Sequence, residues 1–227
     1  MPNYLNDDEL AHAKGLLDRM TTIYQHTVVG QEALRRALTA SLLAGGHVLV
    51  ESVPGLAKTT AAQTLASAVS GTFHRIQCTP DLMPNDIVGS QIWNQECGEM
   101  VTRLGPVHAN LVLLDEINRS SAKTQSAMLE AMQERQTTIG GVNHKLPNPF
   151  MVMATQNPIE EEGTYVLPEA QMDRFLLKEV ITYPTPVEEL EVLTRIDSGQ
   201  MSAQASVAPI TLDDVRTLQE ARRRVFV

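Results

Sequence analysis

His47-Val-Leu-Val-Glu51, followed by Ser52-Val-Pro-Gly-Leu-Ala-Lys-Thr-Thr60, is the stretch on which the fold turns. An apolar run breaks at a Pro-Gly turn, passes a Lys-Thr pair and continues as the small-residue helix Ala61-Ala-Gln-Thr-Leu-Ala-Ser-Ala-Val69. Strand, tight loop, Lys-Thr and helix is the layout of a phosphate-binding loop, where successive backbone N–H groups and the positive end of a helix dipole converge on an anion. Lys58 would reach the β- and γ-phosphates, and the Thr59 hydroxyl would ligate Mg²⁺. The stretch departs from the pattern G-x-x-x-x-G-K-[ST] at Ser52 and Ala57, both small, while Gly55 supplies the positive φ that the turn needs. By itself it is also compatible with a decayed loop, or with a strand-to-helix turn whose lysine is only a surface charge.

Upstream of this loop, Asn6 or Asp7 can cap a helix whose apolar face is Leu10, Ala13, Leu16-Leu17, Met20 and Ile23. A second helix runs from Gln31 to Ala44, lined by Leu34, Ala37-Leu38 and Leu42 and ended by Gly45-Gly46. Downstream, Thr72–Cys78 alternates like a strand, and 80–89 reads as a short interrupted helix. Gln91-Ile-Trp93 and Met100-Val-Thr102 form a hairpin at about 90–103. Leu111-Val-Leu-Leu114 and Phe150-Met-Val-Met-Ala154 are continuous apolar runs, as strands buried on both faces of a parallel sheet require. Between them lie a helix from Ala122 to Glu134, capped by Ser120 or Ser121, and a second hairpin at about 136–147 around Gly140-Gly141. An acidic loop, Glu160-Glu-Glu-Gly163, precedes the strand Leu176–Thr182.

Five β-runs alternating with helices predict an α/β fold: a three-layer αβα sandwich on a five-stranded parallel sheet. That core extends over 1–183. Pro184 and Pro186 mark a boundary, after which 184–227 reads as the start of an α-helical lid. It comprises a charged helix, a Gly/Ser/Gln/Ala linker from Ser198 to Pro209, and a helix opened by a Thr211/Asp214 capping box.

Aromatic residues make up only 4% of the 227 residues, so the core must be built of Leu, Val, Ile, Ala and Met. The formal net charge of −9 argues against a general affinity for nucleic-acid phosphates. The N-terminus lacks the basic and apolar regions of a signal peptide, and no run approaches a membrane span. Cys78 and Cys97 have no metal-like spacing. A cytoplasmic protein with reduced thiols is the expectation.

Three constellations extend the loop. Asp115-Glu116 ends an apolar strand, where phosphate-loop enzymes place the carboxylate that faces Mg²⁺ and a base that polarises water. Asn157 ends the next buried strand and could hydrogen-bond the attacking water or the γ-phosphate, although Asn157-Pro158 is also an ordinary turn starter. Arg174 precedes the last strand, either as an ion-pair partner or as a finger donated to a neighbouring subunit.

Val29-Gly30-Gln31, Val53-Pro-Gly-Leu-Ala-Lys-Thr59, Leu114-Asp-Glu-Ile-Asn-Arg119, Lys123–Glu134, Ala154-Thr-Gln-Asn-Pro158 and Leu167–Phe175 together resemble a MoxR-type AAA+ ATPase. The resemblance runs from about residue 8 onward. It implies a Walker A loop (Ser52, Val53, Pro54, Gly55, Leu56, Ala57, Lys58, Thr59, Thr60), in which Ala57 is usual and Ser52 is a departure. It implies Walker B at Asp115 and Glu116, sensor 1 at Asn157, an arginine finger at Arg174, and an adenine seat by Val29, Gly30 and Gln31. Thr59 and Asp115 would hold Mg²⁺, with ATP or ADP as the nucleotide.

The same resemblance makes the hairpins the helix-2 and pre-sensor-1 insertions, facing a ring's centre, with Trp93 as the exposed-aromatic candidate. It further implies a ring oligomer, a hexamer, that hydrolyses ATP to remodel a partner such as a von Willebrand factor A domain protein. A complete lid with a sensor-2 arginine is expected of the family. Arg222-Arg-Arg224 do not match it and read as solvated charges, so the chain is expected to be a piece of a longer one or a natural fragment. Two other readings remain open: a nucleotide-gated scaffold with little hydrolysis, and a magnesium-chelatase-like subunit.

Overall fold

The structure, a computed structural model, describes residues 4–158, 165, 167–200 and 205–225. The acidic loop at 160–163 and the middle of the 198–209 linker lie outside the described residues. Helix α1 (Asp7–Thr27) starts at Asn6, whose side chain accepts from the Glu9 N–H while Glu9 returns a bond to the Asn6 N–H. Leu16, Met20, Ile23 and Tyr24 form its buried stripe; Leu10, expected on that stripe, is exposed nearer the start of the helix. Helix α2 (Glu32–Ala44) ends at Gly45 in the left-handed conformation.

Strand β1 (Val48–Ser52) feeds the loop and then α3 (Lys58–Ala68), which begins at the lysine, three residues before the small-residue run. Strand β2 (Phe73–Gln77) leads to α4 (Pro84–Val88) and the hairpin β3 (Gly89–Asn94) and β4 (Glu99–Leu104). Strand β5 (Leu111–Asp115), a 3₁₀ turn and α5 (Ala122–Glu134) follow, with Ser121 as the cap. The second hairpin pairs β6 (Gln136–Ile139) with β7 (Val142–Lys145) across Gly140 and Gly141, both at positive φ as a tight two-residue turn demands. Strand β8 (Met151–Gln156), the short helix α6 (Glu169–Met172), strand β9 (Leu177–Ile181), α7 (Pro186–Asp197) and α8 (Leu212–Arg222) complete the chain.

The sheet is parallel throughout, in the order β2-β5-β8-β1-β9. Successive residues of its three inner strands point to opposite faces. Val48, Val50, Leu111, Leu113, Met151 and Met153 enter one core with α1, α2 and α3. Leu49, Val112, Leu114, Val152 and Ala154 enter the other, with α5.

Helix α8 belongs to the first core: its Val215 and Leu218, with Ile210 just before the helix, are buried there, and the helix packs against α1 and α2. The arginines expected to be solvated are engaged there. Arg224 forks onto Glu9 at 2.8 Å, and Arg222 donates to the Ala44 carbonyl at 3.0 Å. Their partners lie near the other end of the chain, which local sequence does not reveal. Helix α7, in contrast, buries none of its own residues. Among the described residues no helix is long and apolar enough to cross a membrane.

The N-terminal ends of the strands are tied by polar groups, His47 and Asn110 buried and Arg135 half-buried. His47 accepts from the Val152 N–H through Nδ1 (3.0 Å), donates to the Met132 carbonyl through Nε2 (3.3 Å) and meets the Phe150 ring edge-on. Arg135 donates to the Phe150 and Gly45 carbonyls and lies over the Phe150 ring. Asn110 accepts from the Thr72 N–H and hydroxyl and donates to Pro149.

Candidate nucleotide site at the C-terminal ends of the strands

Open α/β sheets bind ligands in the crevice beyond the carboxyl ends of their strands, and four of the sequence candidates meet there. Strand β1 delivers the loop, β5 ends on Asp115, and β8 runs into Asn157. β8 lies between β1 and β5, so the loop and the two carboxylates flank the strand that carries Asn157.

The loop is shaped by backbone constraint. Gly55 has φ +86°, and Ala57, the residue before α3, sits at φ +51° in the left-handed region, where a Cβ carries a steric cost. Ser52 needs no such freedom. It is the last residue of β1, in register with Ile181 of β9, buried, and its hydroxyl donates to the Val53 carbonyl at 3.2 Å. Serine is therefore compatible with the backbone that the loop adopts here.

Ala57 offers no side-chain cap to α3. The first-turn N–H groups of that helix are thus available to an anion, with the dipole reinforcing the attraction. Lys58 folds over the loop, Nζ lying 3.3 and 3.5 Å from the Val53 and Ser52 carbonyls. Burial pulls its pKa down from the usual lysine value, while the charges of Asp115 and Glu116 push it back up. The ammonium and both carboxylates therefore share one electrostatic environment. Thr59 is half-buried beside it, and Thr60 is exposed.

Asp115 is buried, with both oxygens engaged. Oδ1 accepts from the Thr155 hydroxyl at 2.8 Å, and Oδ2 accepts from Arg75 Nε and Nη2 at 3.1 and 2.5 Å. Glu116 stands at φ +58°, its N–H donating to the same Thr155 hydroxyl, while its carboxylate accepts from Gln77 and Arg119 at 3.0 Å each. A strained backbone held by neighbours is characteristic of functional positions. Asn157 is buried at the end of β8.

Arg75, Gln77 and Thr155 did not emerge from the sequence. Arg75 and Gln77 are two apart and so share one face of β2. Only the sheet order, however, places β2 beside β5, thirty-eight residues along in the register of Phe73 with Leu111.

Against the loop lies a cavity of about 410 Å³, lined by Val28, Val29, Gln31, Leu56, Val192 and Leu193 among others. Its walls are mainly apolar, as a seat for a flat heterocycle should be. Gln31 is left-handed at φ +51° and donates through Nε2 to the Leu56 carbonyl, which ties this wall to the loop. Gly30 lies at φ +64°, where a side chain is strained, and a Cβ would also displace the Glu188 carboxylate, which it would meet at 2.2 Å. Helix α7 closes the cavity from the opposite side through Glu189, Val192 and Leu193, while Glu188 caps that helix together with Thr185.

Among the described residues no three His, Cys, Asp or Glu side chains cluster as a metal cage. The oxygens at the loop, the Thr59 hydroxyl and the Asp115 carboxylate, are of the kind that Mg²⁺ takes, since it binds through one or two protein oxygens and completes its shell with phosphate and water. Thr59 and Asp115 would be the protein's share.

Arg174 is not brought to this site. It is exposed and precedes β9, at the end of the sheet where the Leu176 N–H meets the His47 carbonyl. A five-residue strand separates the two ends, about 16 Å. Of the two hairpins, the first carries Trp93 opposite Met100, both exposed, and its Gln91 side chain rests on the Gly140 turn of the second.

Comparison with known proteins gives a consistent picture. Residues 47–177, more than half of the chain, match the model of the ATPase family associated with various cellular activities. The chain is 51% identical over 211 residues to chaperone MoxR1 of Mycobacterium tuberculosis, covering 93% of this chain and 55% of that one. It is 50% identical over 179 residues to the Bacillus subtilis protein YeaC, covering 79% and 56%. A solved structure from Cytophaga hutchinsonii superposes with a TM-score of 0.81 at 45% identity, over 93% of this chain and 64% of that one. The chain spans about half the length of the curated relatives it matches. With the parallel sheet, its loop and these matches together, the chain belongs to the AAA+ ATPases and, within them, to the MoxR type.

Proposed function

We propose that this chain binds ATP with Mg²⁺ and hydrolyses it to ADP and phosphate. Its cycle would drive chaperone-like remodelling of a partner protein within a ring oligomer, a hexamer. The observation that carries the reading is geometric: the loop with Lys58, the Asp115-Glu116 pair and Asn157 lie at the carboxyl ends of the adjacent strands β1, β5 and β8.

The residues divide the work by chemistry. Lys58 and the N–H groups at the start of α3 would hold the β- and γ-phosphates, and the cavity by Val29, Gly30 and Gln31 would hold the adenine. Thr59 and Asp115 would carry Mg²⁺, which spreads charge as the terminal phosphoryl leaves. Glu116 would take a proton from the attacking water, with Asn157 orienting that water.

Arg174 stands at the wrong end of its own sheet to reach this γ-phosphate, so it would act on the site of a neighbouring copy. The exposed Trp93 and Met100 pair is the proposed contact with a client or adaptor, by resemblance a von Willebrand factor A domain protein. We retain residues 184–227 as the opening of a lid, α7 walling the nucleotide and α8 anchored on the core.

Phosphate release measured against protein concentration tests both parts. Specific activity should rise with concentration. Glu116→Gln should lose at least about a hundredfold in turnover while still binding nucleotide. An equal mixture of Glu116→Gln and Arg174→Ala chains should recover activity that neither has alone. Turnover independent of concentration, with Arg174→Ala fully active, would sink the trans assignment. The MoxR1 relative, named a chaperone, supports the remodelling role.

A further inference from the structure

We propose that Arg75 acts as a built-in competitor for the metal at Asp115, so that the divalent cation can occupy its carboxylate only by displacing a guanidinium. The inference rests on the assignment of Asp115 as a metal-holding residue. Arg75 donates two charge-assisted hydrogen bonds to Asp115 Oδ2, at 3.1 and 2.5 Å, and is braced by Gln77 Oε1 at 2.6 Å. The other carboxylate oxygen, Oδ1, is taken by Thr155 at 2.8 Å. Both acceptor atoms of the carboxylate are therefore engaged within the chain.

A divalent cation and a guanidinium on one carboxylate oxygen repel each other, the more so where water is partly excluded. The Asp115 side chain is 12% exposed and that of Arg75 is 47% exposed. The carboxylate is thus fixed while the arginine, on the edge strand β2, has solvent to move into. That asymmetry makes Arg75 the member that yields. It also means that the metal-free carboxylate is neutralised rather than left as a buried, unpaired charge. Arg75 is a positioning residue on this account. It acts through the Asp115 carboxylate that it holds, and it sets the metal concentration at which the site loads.

The test is a titration of Mg²⁺ into the chain with N-methylanthraniloyl-ADP as fluorescent probe, read as the half-saturating Mg²⁺ concentration. Arg75→Met and Arg75→Gln, which remove both hydrogen bonds to Asp115, should lower that concentration by at least about tenfold, since one charge-assisted bond alone is worth about that factor. Arg75→Lys, which keeps the charge but not the fork and offers the least disruptive variant, should fall between these and the parent. Asp115→Asn should raise the half-saturating concentration at least tenfold.

An unchanged or raised value in all three Arg75 variants, with Asp115→Asn still impaired, overturns the competition and leaves the metal assignment standing. An Asp115→Asn chain whose Mg²⁺ dependence matches the parent removes the metal assignment and the competition with it.

Discussion

The two ends of the parallel sheet are made from the same strands, yet they treat polar groups in opposite ways. At the N-terminal ends, His47, Asn110 and Arg135 each reach carbonyls or N–H groups of the chain itself, Arg135 from left-handed backbone at φ +55°. At the C-terminal ends, Ala57 and Glu116 hold left-handed backbone, α3 has no side-chain cap, and Lys58 makes only long contacts with two loop carbonyls. One end is satisfied and supplies stability. The other pairs Asp115 and Glu116 with side chains but leaves the uncapped first turn of α3 and the loosely held Lys58 open to a ligand, which is how a rigid scaffold and a reactive site coexist on one sheet.

The contrast can be broken first at Arg135. Arg135→Ala leaves the Phe150 and Gly45 carbonyls without their donor and should cost about 3–4 kcal/mol in chemical denaturation. It should leave nucleotide affinity within about twofold. A large loss of nucleotide binding at preserved fold would show that the two ends are not separable.

His47 supplies the next effect. Burial, aided by the nearby Arg135, pushes its pKa down to about 4, and an ordinary histidine titrates near 6.5. The folded chain therefore prefers the neutral ring. Its contribution is complete above about pH 6.5 and is lost as pH falls toward 4. The full loss is about 3 kcal/mol, of which about 2 has gone by pH 5. His47→Gln should flatten that part of the stability profile, and an unchanged slope would show that the ring does not titrate with unfolding.

The smallest effect sharpens the contrast from the other side. At φ +51°, Ala57→Gly should relieve left-handed strain and stabilise the chain by about 0.5–1 kcal/mol. It should also loosen the loop and weaken nucleotide binding a few-fold. Destabilisation on thermal melting would mean that Ala57 carries no strain worth releasing.

Much of this was legible in residues. Leu111–Leu114 and Phe150–Ala154 announce buried strands because each inner strand must be apolar on both faces. Gly140-Gly141 announces a hairpin because two consecutive residues there need positive φ. Thr211 and Asp214 announce a helix start because their reciprocal bonds lie three residues apart. The engagement of Arg224 with Glu9 spans 215 residues, and that of Arg75 with Asp115 spans 40. Neither has a local signature. Leu10 was misplaced because periodicity identifies the stripe of a helix but not how far along it the core extends.

By itself, then, the chain's order of residue types determined the elements, the parallel sheet and the Lys58, Asp115-Glu116 and Asn157 series, since these depend on spacing and on chemistry that recurs at fixed intervals. The tertiary structure alone decided which polar groups hold one another: Arg75 on Asp115, Gln77 on Glu116, α8 on the core, and Arg174 at the far end of its own sheet. Those pairings follow from strand order and helix packing. Both are set by burial summed over the whole chain, and no window of sequence contains that sum.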